Sequence, residues 1–185
     1  LLGRGNDLGL ITATAIHWEP IHTSIIEEDV VDEAMVGTDE EVALAMGEVL
    51  ETGDYDLHFV HFDDVDGAGH SGGFSLDNPN YVGVIETTDA YVGQLLDAIQ
   101  ARPTRDDEDW LVVLTSDHGG LETNHGGLDP DNRTIPLIIW GEGVISGGLG
   151  VPSDVLGELD IGFVSHMDVH PTVMAHLRNP PEAAW

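Results

Sequence analysis

The stretch WLVVLTSDHGGLETNHGG, residues 110–127, decides how the rest of the chain is read. Its first part, Trp110–Ser116, is a short continuous apolar run, the pattern of a strand covered on both faces. The remainder sets Asp117, His118, Glu122 and His125 among glycines. A plain turn has no use for that set. Carboxylate and imidazole together hold a metal ion, and glycine lets the backbone bend closely around it.

Working outward, apolar runs alternate with helical patterns. Leu8–Ile16 reads as a strand. Thr38 followed by Glu41 reads as a capping box that opens a helix. In Asp56–Asp64, Leu57, Phe59 and His61 alternate with His58, Val60 and Phe62, so both faces of this strand are largely apolar. Asn78–Ala101 carries a helical stripe through Val84, Ile85, Val92, Leu95, Leu96 and Ile99. Ile135–Gly141 is another strand, and MDVHPTVMAHL closes the pattern as a short helix capped by Asp168. Gly141–Gly150 reads as a loop excursion. Alternation of this kind predicts an α/β fold, with a largely parallel central sheet and helices on both faces. The expectation is one domain over residues 1–185, with no internal repeat.

Charge is the loudest global signal. Five arginines, no lysine and 35 acidic residues give a net charge of −30. Such a charge repels itself in dilute salt, whereas at about 1 M salt the Debye length falls to about 3 Å and the repulsion is screened. The composition therefore reads as an adaptation to high salt. It leaves no basic patch for nucleic acid or an anionic membrane. No apolar run approaches the ~20 residues of a membrane span. With no cysteine, any metal is held by oxygen and nitrogen.

In α/β sheets, functional groups gather at the carboxyl ends of strands. Two strands here run into metal-ligand types: DDVDGAGH (Asp63–His70) follows one, and the Asp117–His125 loop follows the other. An Asp/His donor set suits zinc at about 2.0–2.2 Å. Magnesium and calcium want more oxygen. Taken in order, DGAGH (66–70), TSDHG (115–119), NHGG (124–127) and RTIPLIIWG (133–141) resemble the alkaline phosphatase superfamily, in particular its type I phosphodiesterase/nucleotide pyrophosphatase-like branch. DVHPTV (168–173) is similar to an element near the end of such domains. The similarity spans Asp56 to Leu177.

That resemblance implies two metal ions, usually zinc. One takes Asp66, His70 and His125; the other takes Asp117 and His118. It implies a phosphate mono- or diester as small-molecule substrate, and a threonine or serine nucleophile on an amino-terminal segment. The hydroxyls in and around ITATAIHWEPIHTS, namely Thr12, Thr14, Thr23 and Ser24, form no nucleophile motif, so no catalytic residue is assigned. The chain thus resembles the carboxy-terminal half of such an enzyme, completed by an amino-terminal segment or a partner chain, or forming a homodimer. The alternative is a non-catalytic metal-binding domain acting through a partner. The compartment, cytoplasmic or secreted, stays open.

Other polar residues read as support. Asp63 and Asp64 are surface or supporting groups, Glu122 a solvated loop acid, and His58 and His61 packed histidines. His166, His170 and His176 are structural or exposed, while His17 and His22 flank Trp18 as candidate pocket walls. Asn132-Arg133-Thr134 matches a glycosylation acceptor too short to carry weight.

Overall fold

A computed structural model describes residues 1–27, 29–147 and 164–177. The chain divides into two compact units, Leu1–Asp107 and Glu108–Trp185.

The first unit is built on a three-stranded parallel sheet in the order β2-β1-β3. Its strands are β1 (Thr12–Ile16), β2 (Glu33–Val36) and β3 (Leu57–His61). Every residue of β1 is buried. Successive side chains of a strand point to opposite faces, so the sheet is covered on both sides at its centre. The short helix α1 (Leu2–Asp7) leads into β1, and a π-type turn, Ile21–Ile25, lies on the crossing to β2.

Helix α2 (Asp39–Thr52) returns the chain from β2 to β3 and packs on β1, β3 and the later helix α4 (Pro79–Ala101). Val42, Ala43, Met46 and Leu50 form its buried stripe. The capping box read from the sequence is present: Glu41 N–H donates to the Thr38 hydroxyl (3.3 Å), and Thr38 N–H donates to Glu41 Oε2 (2.9 Å). At the other end the Arg102 guanidinium donates to the carbonyls of Leu50 and Gly53. A cation there complements the negative end of the helix. In this chain it employs one of only five basic residues.

After β3 comes α3 (Asp64–Gly72), then the long α4, against which α3 packs. Helix α4 begins at Asn78, whose side chain accepts from the Asn80 N–H (3.2 Å). The segment after β3 that carries the DGAGH motif is helical, although Gly67, Gly69 and Gly72 are poor helix formers. Packing against α4 overrides propensity. Gly69 is required there, because a Cβ at that position would overlap the ring of Phe74.

The second unit contains β4 (Leu111–Thr115), β5 (Leu137–Gly141), the short helix α5 (Pro130–Arg133) and α6 (His166–His176). β4 and β5 pair antiparallel, with Val113 opposite Ile139. The parallel sheet expected from the sequence is thus the β2-β1-β3 sheet; an apolar run does not encode the direction of its partner. Helix α6 packs on β4. Its cap is Ser165 rather than Asp168, whose carboxylate accepts the Ser165 N–H from the third helical position (2.7 Å). Residues 148–150 of the glycine-rich excursion lie outside the described residues.

The capping box makes a testable case. Thr38→Ala is expected to cost about 1 kcal/mol at neutral pH in urea unfolding. Hydrogen bonds from Thr38 hold the Glu41 carboxyl below its ordinary range. A carboxyl lowered on folding adds stability above its unfolded pKa and loses it as pH falls through the folded value. The difference between Thr38→Ala and the parent chain should therefore shrink in acid. No measurable cost of Thr38→Ala at pH 7 would contradict the box.

Candidate metal centre

In the first unit, the parallel strands bring their carboxyl ends to one edge. His17 follows β1, Asp39 opens the helix after β2, and Asp63 to His70 follow β3. Asp66 and His70 lie four residues apart on α3, one turn above the other, with His70 Nε2 3.3 Å from Asp66 Oδ2. Both remain reachable from solvent, and the edge of the His70 ring meets Phe74 (centroids 5.5 Å apart). Tyr81 lies near Asp66. Burial, and then the Asp66 charge, raise its phenol above the ordinary tyrosine range.

In the second unit, Asp117 and His118 leave the end of β4. His118 Nδ1 is 2.8 Å from the Gly119 carbonyl. A carbonyl only accepts, so Nδ1 carries the proton, and in the neutral ring Nε2 presents a lone pair. That Nε2 is 3.6 Å from Asp117 Oδ2. A lone pair facing a carboxylate at this distance suits a shared cation. The backbone partner on the other ring nitrogen is the arrangement that orients metal-bound histidines. The His118 ring stacks on that of His125, with centroids 3.7 Å apart. His125 also borders an open hollow of about 270 Å³ with Glu122, Asn124 and Asn132.

The loop between them turns tightly. Leu121 and Asn124 exchange backbone hydrogen bonds, with Glu122 left-handed (φ 54°) at the turn. Gly119 N–H donates to the Asn132 carbonyl, and a Cβ at Gly119 would overlap the Asp131 carbonyl oxygen. Only glycine lets the chain after His118 lie against α5.

The structure thus joins Asp66 to His70, Asp117 to His118, and the ring of His118 to that of His125. Among the supporting residues, His166 Nε2 meets the Ser116 carbonyl (2.6 Å) and His176 Nε2 meets that of Asp109 (3.0 Å), which makes both structural. Thr12 and Thr14, two of the four hydroxyls named from the sequence, are sealed inside β1. Thr23 and Ser24 are exposed on the π-type turn.

One group escaped the sequence reading. His17, paired there with His22 as a pocket wall, instead places Nδ1 2.8 Å from Asp39 Oδ1 and 3.6 Å from Asp64 Oδ1. His22 is exposed on the π-type turn. Asp39 is wholly buried. Its position beside Thr38 marks it only as a first-turn helix acid, so no local signal could have found it. Burial, then the charge of Asp39, raise the Asp64 carboxyl, partly offset by His17.

A family model described as Metalloenzyme superfamily matches residues 18–178 and so runs through both Asp-His pairs. The chain belongs to this superfamily. The resemblance to alkaline phosphatases read from the motifs is borne out at that level. Among curated proteins, GPI ethanolamine phosphate transferase 1 of Yarrowia lipolytica (strain CLIB 122 / E 150) is 36% identical over 92 residues, 49% of this chain and 10% of that protein. Phosphopentomutase of Vibrio campbellii (strain ATCC BAA-1116) is 31% identical over 104 residues, 56% of this chain and 23% of that protein. The chain therefore matches only a minor part of these relatives. Among solved structures, Leishmania mexicana phosphoglycerate mutase, crystallised at low cobalt concentration, superimposes with a TM-score of 0.60 at 15% identity, covering 100% of this chain and 38% of that one. This likeness concerns the fold and supports an alkaline-phosphatase-like α/β architecture. Among the described residues, no helix is long and apolar enough to cross a membrane.

The close approach at Gly119 predicts that Gly119→Ala lowers stability by about 1–3 kcal/mol, the usual range for overpacking. Urea unfolding followed by tryptophan fluorescence measures it. A loss below about 0.5 kcal/mol, within the range of ordinary surface substitutions, would mean that the loop is not held as described.

Proposed function

We propose that this chain carries five metal ligands of a two-ion phosphoryl-transfer enzyme that hydrolyses phosphate mono- or diesters in high salt. One ion rests on Asp66 and His70, the other on Asp117 and His118. The assignment of His125 to the first ion comes from the family's order of motifs. Zinc is the metal the Asp/His donor set favours. The observation that carries the reading is that each Asp-His pair stands just beyond the carboxyl end of a strand, inside the family match.

Two such ions, when bound, lower the pKa of an attacking hydroxyl and offset charge on the phosphoryl oxygens. The chain's own part is to hold and orient. The Gly119 carbonyl fixes the His118 tautomer that leaves Nε2 available. The raised Tyr81 phenol keeps its proton at neutral pH beside Asp66 and remains a donor. The attacking hydroxyl comes, in this reading, from a complementing amino-terminal segment, in the same polypeptide or a partner chain. The type I phosphodiesterase-like branch supplies the preference for ester hydrolysis. The acidic surface supports the high-salt reading and disfavours nucleic acid as partner.

Isothermal titration with zinc in molar potassium chloride tests the ligands. Asp66→Asn and Asp117→Asn are each expected to weaken binding tenfold or more. Unchanged binding in both variants would overturn the metal assignment. Turnover of p-nitrophenyl phosphate and bis-p-nitrophenyl phosphate, by this chain and by a version extended at its amino terminus, tests the chemistry. Activity in the extended version that Asp117→Asn abolishes is the expected result. Metal binding without turnover in either version would favour a non-catalytic metal-binding domain. The melting temperature should rise between 0.1 M and 2 M salt, and a flat profile would contradict the high-salt reading.

A further inference from the structure

We infer that Asp39 is a positioning residue for the metal-ligating helix α3, an inference that rests on the reading of Asp66 and His70 as ligands. Asp39 is 0% exposed. Its Oδ1 accepts from the Asp63 N–H (2.8 Å) and from His17 Nδ1 (2.8 Å), and its Oδ2 accepts from the Asp64 N–H (3.1 Å). Asp63 and Asp64 are the cap residue and the first helical residue of α3. A carboxylate from the start of α2 therefore satisfies backbone donors at the start of α3.

Two features separate this from ordinary capping. Asp63 is itself of the residue type that caps helices, yet its side chain makes no cap hydrogen bond. A local acceptor would stabilise the helix end as well without burying a charge. A remote acceptor also fixes where the helix starts relative to the sheet. The buried charge is tolerated because it lies at the amino-terminal ends of two helices, where the dipoles favour an anion, and because both oxygens are hydrogen-bonded. His17, whose own N–H donates to the His61 carbonyl (3.1 Å), ties the exit of β1 to the same carboxylate.

The consequence falls on the ligands. Asp66 and His70 sit in the first two turns of α3, and a helix turns about 100° per residue. A slip of one residue at the start of α3 would swing both side chains away from the position they share. Groups that orient metal ligands in this indirect way typically change metal affinity about 10- to 100-fold when removed.

The test uses the full chain in molar potassium chloride with cobalt(II) as probe, comparing Asp39→Asn, Asp63→Ala and the core control Leu50→Ala. Amide hydrogen exchange without metal reads the cap. Asp39→Asn should speed exchange at Asp64 and through the first turn of α3, while the body of α2 stays protected. Cobalt titration reads the ligands. Asp39→Asn should lose about tenfold or more in affinity with a shifted visible spectrum, whereas Asp63→Ala and folded Leu50→Ala bind as the parent does. Unchanged exchange in α3 would overturn the inference without reference to metal. So would altered exchange with parental cobalt affinity and spectrum. Absence of cobalt binding by the parent chain would instead overturn the ligand reading of Asp66 and His70, and this inference with it.

Discussion

A single buried carboxylate organises the carboxyl edge of the parallel sheet. Asp39 accepts hydrogen bonds from His17 beyond β1 and from the backbone at the start of α3 beyond β3, while opening α2 beyond β2. Three chain segments distant in sequence are thereby joined at one acceptor. Removing either partner of such a bond strands a buried polar group, which costs more than the bond itself contributes. The bonds therefore act together, and the position of α3 depends on them.

The second unit solves a similar problem by different means. Its Asp117–His118 pair is held without a carboxylate of that kind among the described residues. Asp117 is exposed, and His118 is oriented by the backbone carbonyl one residue on. Orientation comes from the loop itself, through the tight turn at Leu121–Asn124 and the close approach of Gly119 to α5. The ring of His125 stacked on His118 ties the two ends of that loop together.

The charge balance constrains both units. With 35 acids and five arginines, few favourable pairs are available to the acidic groups. The acids that matter to the architecture are satisfied by other donors. Asp39 uses backbone amides and an imidazole, Glu41 a hydroxyl and an amide, and Asp168 an amide and a hydroxyl. Short-range hydrogen bonds to a charged group suffer little from salt compared with exposed ion pairs, so this architecture is compatible with either condition.

The sequence by itself determined the strands β1, β3, β4 and β5, the helices α2, α4 and α6, the family and the two Asp-His motifs, but not β2, α1, α3 or α5. Each rests on short-range signals: hydrophobic period for β3, β4 and α4, a three-residue spacing for the Thr38–Glu41 cap, and local motifs for Asp66–His70 and Asp117–His118. It left helix α3 unread, because its glycines argue against a helix while packing on α4 decides otherwise. Only the tertiary structure decided the antiparallel pairing of β4 with β5, since strand direction depends on a partner beyond the intervening loop and α5. Only the tertiary structure also decided the role of Asp39. In sequence it is one acid among 35 beside a helix cap. Its chemistry comes from burial and from donors at positions 17, 63 and 64, and no local pattern encodes contacts across such separations.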